Sequence, residues 1–340
     1  MEIIAKIPAP DIAKKQLPIS AEMAAAKTAR DAELRGIIRG GGRFLVVMGP
    51  CSAHCPDALG EYAARLVVLQ GKVGDKILLV ARVYTQKPRT LSRGYMGIFH
   101  SPNPENPPDL AAGIFAMRKI HLIALNHGMI TADELLYPEL YPYLDDVCSY
   151  FAIGARSVEN QLHRFVASGL AAPVGMKNPI SGSIAVMTNS IAAAHGAHRF
   201  LFRGDEVQSG GNPLAHGVLR GYRRGGRHMP NFSIDDLQNT RARFEAAGLP
   251  DCGVIVDASH SNSLGDYTIQ QDVAMEIIKY RENPDLRRFV RGIMLESFLE
   301  QGRQSPESAA FGQSITDPCL GWEQSEALIY RLYGGLDGKF

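Results

Sequence analysis

Long apolar runs, paired cysteines and net charge are all scarce in this chain of 340 residues. No apolar run approaches the ~20 residues that a membrane-spanning helix needs, so we expect no membrane partner. The formal net charge is only +1, which provides no overall field for nucleic acid, so anion binding must come from local clusters. The 5 cysteines are odd in number and scattered, which excludes a disulfide framework and a paired-cysteine zinc site.

The N-terminal stretch MEIIAKIPAPDIAKKQ lacks the apolar segment of a signal peptide. Together with the scattered cysteines, this predicts a protein of the reducing cytoplasm. The prolines within residues 1–20 predict an extended arm, after which Ser20 begins a helix that the glycines at 40–42 end. We therefore place a boundary between an N-terminal arm and helix, residues 1–42, and a catalytic barrel, residues 43–340.

After residue 42, short apolar runs alternate with Ala- and Leu-rich stretches of helical length. The runs are FLVVM (44–48), ILLVARVY (77–84), GMITADELL (128–136), FAIGA (151–155), VGM (174–176), HGVL (216–219), VIVDAS (254–259) and IMLES (293–297). Because most are continuous rather than alternating, they indicate strands buried on both faces of a parallel sheet. The pattern predicts an α/β fold, a (β/α)8 TIM barrel, with a doubly wound sheet as the main alternative. Segment 199–213 fits less well and predicts a short extra hairpin before the sixth strand.

A charged or metal-binding side chain stands at or just after the end of each predicted strand. In chain order these are Cys51, Arg82 with Lys87 and Arg89, Glu134, Arg156, Lys177, Arg220, His260 and Glu296. The C-terminal strand ends of a barrel form its catalytic face, so these side chains are expected to meet there. Any one of them alone is equally consistent with a solvated charge or a packed core residue, but the complete set favours a functional site.

The set contains two chemical kinds. The cations are Arg82, Lys87, Arg89, Arg156, Lys177 and Arg220. They predict a small polyanionic ligand, because arginine binds phosphate and carboxylate oxygens bidentately and lysine adds point charges. Cys51, His260 and Glu296 offer sulfur, nitrogen and oxygen ligands. That mixture predicts a divalent metal ion as cofactor, namely Mn, Fe, Co or Zn rather than Mg or Ca.

Several motifs, in chain order, resemble those of one enzyme family. They are GPCS (49–52), RVYTQKPRT (82–90), IGAR (153–156), ASGLAAPVGMKN (167–178), HGVLRG (216–221), DASHSNS (257–263), GIMLESFLEQGRQS (292–305) and QSITDPCLGWE (313–323). The chain is similar to the class I 3-deoxy-D-arabino-heptulosonate 7-phosphate (DAHP) synthases. The resemblance implies a metal-dependent transferase on a (β/α)8 barrel that condenses phosphoenolpyruvate with D-erythrose 4-phosphate and water. The products are DAHP and phosphate, in the first step of the shikimate pathway to aromatic amino acids.

The resemblance also implies a role for each matched position. The expected metal ligands are Cys51, His260, Glu296 and Asp317, the last of which no strand pattern indicates. The expected phosphoenolpyruvate contacts are Arg82, Lys87, Glu134, the backbone of Ala155, Arg156, Lys177 and Arg220. The expected erythrose 4-phosphate contacts are Lys87, Pro88, Arg89, Thr90 and Asp317. Lys87 touches both substrates in this scheme and is the expected proton-transfer group, while Cys51 and His260 count as catalytic through the metal.

Two segments depart from the family pattern where feedback-regulated members bind an aromatic amino acid. The hairpin segment 203–212 is shortened, and YPELYPY (137–143) replaces the usual motif after the third strand. Together with Ala171, these segments help form the inhibitor pocket in such members. We therefore expect either no ordinary inhibition by phenylalanine or tyrosine, or a different effector.

A third departure is the inserted segment YRRGGRHM (222–229). It is predicted to be a solvated basic loop, with extra phosphate contacts from Arg223, Arg224 and Arg227 as the alternative. The departures leave two other functions open, a paralogue that uses a different aldose phosphate and a catalytically silent regulatory homologue. The expected partners are small-molecule substrates, without nucleic acid, and the family resemblance implies a homodimer or homotetramer.

Overall fold

The computed structural model of the chain describes residues 1–89, 94–308 and 310–338. The strands are β1 (Phe44–Gly49), β2 (Ile77–Arg82), β3 (Thr131–Glu134), β4 (Tyr150–Ile153), β5 (Val174–Lys177), β6 (Arg199–Phe202), β7 (Asp205–Gln208), β8 (Ala215–Leu219), β9 (Tyr222–Arg224), β10 (Arg227–Met229), β11 (Val254–Asp257) and β12 (Val290–Glu296). The helices are α1 (Pro10–Gln16), α2 (Ala21–Ile38), α3 (Pro56–Val73), α4 (Leu110–Asn126), α5 (Tyr141–Leu144), α6 (Gln161–Gly169), α7 (Ile184–His195), α8 (Ile234–Ala246), α9 (Gln270–Tyr280), α10 (Pro284–Phe289) and α11 (Trp322–Gly335). Short 3-10 helices cover Pro138–Leu140 and Tyr267–Ile269.

Eight of the described strands close into a parallel barrel in the order β1, β2, β3, β4, β5, β8, β11 and β12. β1 completes the circle, because Leu45 is paired with Leu78 of β2 on one side and with Gly292 of β12 on the other. The predicted (β/α)8 barrel is confirmed, and the doubly wound alternative is wrong. The antiparallel strands β6 and β7 form the predicted extra hairpin before the sixth barrel strand.

Close packing on both faces of the sheet explains the continuous apolar runs. Every residue of β1, β2 and β12 is buried. Gly292 is needed where β12 meets β1, because a Cβ there would collide with the carbonyl oxygen of Leu45. Helices such as α3 bury apolar side chains, among them Leu59 and Leu66, against the outside of the sheet. No helix in the described part of the chain has both the length and the apolar character that crossing a bilayer requires.

The N-terminal arm differs in part from the prediction. Residues 10–16 form helix α1, so the expectation of a fully extended arm was wrong. Tertiary contacts hold this segment, because the hydroxyl of Tyr143 donates to the carbonyl of Pro8 (2.6 Å) and Arg118 Nε donates to the carbonyl of Leu17 (2.7 Å). The following helix, α2, begins after Ser20 as predicted.

The inserted segment 222–229 forms a second hairpin, β9 and β10, rather than the predicted loop. Gly225 and Gly226 make its turn with φ angles of 56° and 79°. Two-residue hairpin turns favour this left-handed conformation because its twist matches that of the strands. The Gly-Gly pair was therefore a hairpin signal within a segment whose basic composition indicated a loop.

We expect Arg118 to be a major link between the arm and the barrel. Its buried guanidinium donates to both carboxylate oxygens of Asp146 (2.6 Å each) and to the carbonyl of Tyr143 (3.0 Å). Arg118→Leu leaves these acceptors unpaired, so we expect the free energy of unfolding to fall by about 3 kcal/mol. The control Arg241→Leu breaks a surface ion pair and should change it by less than about 1 kcal/mol. Urea unfolding measures both, and equal effects would contradict the expectation.

Candidate active site and metal centre

The predicted site residues meet at the C-terminal ends of the barrel strands around one cavity of about 230 Å³, the inner cavity. Its lining includes Arg82, Lys87, Pro88, Arg89, Glu134, Ala155, Arg156, Lys177, Arg220, His260 and Asp317. Cys51 and Glu296 are buried and contact this lining through Lys87 and Arg82. Thr90 lies outside the described residues. The structure thus brings together all the described residues that the sequence analysis assigned to the metal and the two substrates.

Potential metal ligands cluster at one end of this set. Cys51 Sγ and carboxylate oxygens of Glu296 and Asp317 lie within 4.8 Å of one another. His260 Nε2 is 4.0 Å from Glu296 Oε1, so an imidazole nitrogen stands beside the cluster. The backbone of His260 is left-handed, with φ 58°, a strain that often accompanies functional sites. One sulfur, one nitrogen and two carboxylates fit the predicted divalent metal.

Lys87 lies between two of these ligands. Its ammonium donates to Cys51 Sγ at 2.7 Å and to Asp317 Oδ2 at 2.8 Å. Burial alone would lower the pKa of Lys87, but Cys51 and Asp317 raise it above the ordinary value. Lys87 in turn holds the pKa of Asp317 well below its usual range. Burial and Glu296 raise the pKa of Cys51 to about 12. Lys87 is therefore a charged ammonium held against an acidic cluster.

Arg82 supports the cluster from inside the barrel. Its Nη2 donates to Glu296 Oε1 at 3.0 Å, and its Nη1 donates to the carbonyl of Pro50. The guanidinium carbon lies 3.7 Å from the centroid of the Tyr84 ring. Burial opposes the charged form, but Glu296 raises the pKa of Arg82 above its ordinary value. This pair fixes the orientation of one proposed ligand, as partners behind metal ligands do.

Asp257, which the sequence reasoning missed, connects the cations to the ligands. Its Oδ2 lies 3.2 Å from Lys177 Nζ and 3.1 Å from His260 Nδ1. Burial alone would raise the pKa of Asp257, but His260 and Lys177 hold it well below its usual range. Because Nδ1 of His260 is engaged, Nε2 keeps the lone pair that a metal ligand needs. The available signal was an acidic residue ending the apolar run VIVD.

Three members of the cation set lie close together at the inner cavity. Arg156, Lys177 and Arg220 line the inner cavity, and Lys177 has Asp257 as its carboxylate partner. In the described ranges, Arg220 forms no ion pair. Burial lowers the pKa of Arg220, and the nearby charge of Arg156 acts in the same direction. Adjacent cations of this kind favour binding of phosphate or carboxylate.

Asp133 is a second carboxylate that sequence reasoning missed, and it holds a loop of the site in place. It accepts hydrogen bonds from the backbone N–H and the hydroxyl of Thr85 (2.9 and 2.5 Å) and from the backbone N–H of Glu134 (2.7 Å). These bonds fix the start of the loop that carries Lys87 and Arg89. No sequence signal separates Asp133 from the adjacent acid, because both belong to the short run TADE.

A larger cavity of about 640 Å³, the outer cavity, adjoins the inner one. Arg156, Arg220, His260 and Asp317 line both cavities. The outer cavity is also lined by Arg223, His228 and Arg303. The site therefore extends from the buried ligand cluster to a wide cationic mouth.

Known proteins are similar in sequence to this chain along most of its length. The sequence profile of the DAHP synthetase I family matches residues 16–329. The chain belongs to the DAHP synthetase I family. It is 38% identical over 340 residues to the Tyr-sensitive phospho-2-dehydro-3-deoxyheptonate aldolase of Escherichia coli K12, with 97% of this chain and 93% of the relative covered. It is also 38% identical over 305 residues to the Phe-sensitive one of the same organism, with coverages of 87% and 85%.

A solved structure of this family agrees with the fold. The phospho-2-dehydro-3-deoxyheptonate aldolase of Francisella tularensis SCHU S4 aligns with a TM-score of 0.94 at 30% identity, covering 100% of this chain and 99% of that chain. Membership in the DAHP synthetase I family confirms the resemblance found in the motifs. The family and the relatives support 3-deoxy-7-phosphoheptulonate synthase activity, a transferase reaction.

Metal binding can be tested without turnover. Cys51→Ala removes a proposed ligand, so we expect the affinity for Mn²⁺ or Zn²⁺ to fall by more than about 100-fold. Losing only a residue that hydrogen-bonds to a metal ligand already costs about 10–100-fold in affinity. Cys148→Ala is the matched control, because this thiol is equally buried but donates to the carbonyl of Tyr150 (3.2 Å). Equilibrium dialysis with elemental analysis measures both. Unchanged metal binding in Cys51→Ala would remove the thiol from the ligand set.

Proposed function

We propose that this chain joins phosphoenolpyruvate to D-erythrose 4-phosphate and water, producing DAHP and phosphate, as a metal-dependent 3-deoxy-7-phosphoheptulonate synthase. This reaction is the first step of the shikimate pathway. The observation that carries the proposal is that a possible metal-ligand cluster and the cation set meet around one cavity of about 230 Å³. The family match supports the same reaction.

The cation set binds phosphoenolpyruvate in this proposal. The contacts are Arg82, Lys87, Glu134, Ala155, Arg156, Lys177 and Arg220. The positive charges of the arginines and lysines among them offset the phosphate and carboxylate of the substrate, and they also reduce its repulsion toward a second phosphate-bearing substrate. When the C–O bond to phosphate breaks, Arg156, Lys177 and Arg220 stabilise the departing anion.

The aldehyde substrate lies along the loop after β2. Its contacts are Lys87, Pro88, Arg89, Thr90 and Asp317. Cys51, His260, Glu296 and Asp317 would hold a divalent metal, which would supply a Lewis acid for the aldehyde oxygen. C3 of phosphoenolpyruvate forms the new bond to the aldehyde carbon, and the Lys87 ammonium donates a proton to the oxygen that becomes a hydroxyl. Water then adds at C2, phosphate leaves, and the ketone of DAHP remains.

The charge arrangement disfavours a catalytically silent homologue. Arg156 and Arg220 bring like charges to one cavity, and the charge of Arg156 acts with burial to lower the pKa of Arg220. A protein that bound no polyanion would carry this repulsion without benefit. The intact run KPRT likewise favours erythrose 4-phosphate over another aldose phosphate as the acceptor.

We also propose a homodimer or homotetramer in the cytoplasm. The N-terminal arm leaves Ile3, Ile4 and Ile7 exposed, and a second copy of the chain would remove this apolar surface from water. The absence of ordinary inhibition by phenylalanine or tyrosine, or the use of a different effector, stays a prediction, because relatives of equal identity are named Tyr-sensitive and Phe-sensitive.

Phosphate release tests the reaction and its acceptor together. Metal-loaded protein receives phosphoenolpyruvate with either erythrose 4-phosphate or arabinose 5-phosphate. We expect release only with erythrose 4-phosphate, and EDTA should abolish it because the aldehyde loses its Lewis acid. Release with arabinose 5-phosphate would establish a different acceptor. No release with either sugar, while phosphoenolpyruvate still binds, would favour the silent homologue.

The proton-transfer role of Lys87 makes a separate prediction. Lys87→Met should lower kcat by about 100-fold or more, the usual contribution of a positioned proton donor. The protein should still bind metal, because removing the ammonium takes a competing cation away from Cys51 and Asp317. Lys119→Met, at an exposed position of α4, serves as the control. Steady-state kinetics and metal analysis measure the effects, and a kcat within about threefold of the original would exclude this role.

A further inference from the structure

The β9–β10 hairpin presents one of its two faces to the outer cavity. Arg223 is paired with His228 across the hairpin, and both side chains line the cavity. Arg224 is paired with Arg227, and neither lines it. Cross-strand partners share a face and neighbouring residues alternate, so the pairing separates one arginine from the other two.

The hairpin is anchored against the barrel loops. The backbone N–H of Arg223 donates to the carbonyl of Ile180 at 3.0 Å. The ring of Tyr222 packs on Gly182, where a Cβ would lie only 2.5 Å from the ring. These contacts place the Arg223 face of the hairpin at a defined position beside the cavity.

His228 holds the side chain of Arg223. Arg223 Nη2 lies 3.2 Å from His228 Nε2, and His228 Nδ1 lies 3.1 Å from the hydroxyl of Ser261. A guanidinium only donates, so Nε2 must accept and Nδ1 carries the proton toward Ser261. Ser261 follows the proposed ligand His260, so this chain of hydrogen bonds joins the hairpin to the catalytic loop.

The described part of the outer-cavity lining carries more arginines than carboxylates. It contains four arginines, Arg156, Arg220, Arg223 and Arg303, and two carboxylates, Glu296 and Asp317. Both carboxylates already have basic partners, Arg82 at 3.0 Å and Lys87 at 2.8 Å. Within the described ranges, Arg223 forms no ion pair with a carboxylate. The guanidinium of Arg223 is therefore open to a charge-assisted contact with an anion at the mouth of the site.

We propose that Arg223, positioned by His228, forms a phosphate-binding site at the mouth, separate from the inner cation set. The ligand is a phosphate group, carried either by free inorganic phosphate or by a sugar phosphate. This inference rests on the proposed function, in which the inner cavity already holds phosphoenolpyruvate. The two cavities share Arg156 and Arg220, so a phosphate released from the inner cavity passes next to Arg223 on the way out.

Calorimetry on the metal-loaded protein tests the site without turnover. Phosphoenolpyruvate is titrated first, and inorganic phosphate is then titrated into the saturated complex. The KM for erythrose 4-phosphate is measured separately. Arg223→Gln should weaken phosphate binding or raise that KM by at least about tenfold, with phosphoenolpyruvate binding within twofold. Arg224→Gln should leave all three values within about twofold, because Arg224 is equally exposed but lies on the opposite face and does not line the outer cavity.

The outcomes separate the sources of the phosphate group and separate this proposal from the proposed function. Weaker binding of inorganic phosphate identifies free phosphate, and a raised KM identifies the sugar phosphate. Unchanged values for both in Arg223→Gln overturn the proposal. Absence of phosphoenolpyruvate binding overturns the proposed function instead, while phosphate titration into the free protein still reports on Arg223.

Two further variants test whether His228 positions the guanidinium of Arg223. His228→Leu should reproduce the loss seen in Arg223→Gln, because it removes the acceptor that orients the guanidinium. His228→Gln keeps an acceptor for Arg223 and a donor for Ser261, so it should restore binding. Unchanged phosphate binding and KM in His228→Leu would show that Arg223 acts without this support.

Discussion

Compensation of buried charge at the C-terminal strand ends is the constraint on which the rest of the site depends. Lys87 is paired with Asp317, and Arg82 is paired with Glu296. A charge removed from water needs a partner, and removing one member of the buried pair Arg82–Glu296 costs about 3–5 kcal/mol, whereas the Asp317 side chain is 44% exposed. The same carboxylates are proposed metal ligands, so a divalent cation adds positive charge to groups that already have cationic partners. Anionic substrates then complete the balance, which couples metal binding to substrate binding.

Asp257 extends this coupling across the barrel. One carboxylate from β11 contacts Lys177 at the end of β5 and His260 in the loop after β11. Asp257 thus places one carboxylate between a member of the cation set and a proposed metal ligand. The cation set and the ligand cluster are therefore electrostatically one unit, although each is recognisable separately in the sequence.

The sequence predicts the barrel and most of the site because both depend on strong local signals. Strands buried on both faces require apolar runs, and parallel strands bring the residues that follow them to one face. Helix α1 was missed because contacts with Tyr143 and Arg118, far along the chain, hold it. Asp257 and Asp133 were missed because each role depends on partners from other strands. Such partners become visible only when the register of the barrel is known.

The β9–β10 hairpin shows where a chain of this family acquires its own properties. Groups at strand ends, such as Arg82 and Lys177, are fixed by pairing that the whole barrel shares, so their positions vary little without disturbing the core. An insertion between β8 and α8 leaves that pairing unchanged and adds Arg223 and His228 at the mouth. Loops at this face carry functional variation in barrel enzymes for the same reason. Differences in ligand recognition between this chain and its relatives are therefore expected at residues 222–229 rather than in the inner cavity.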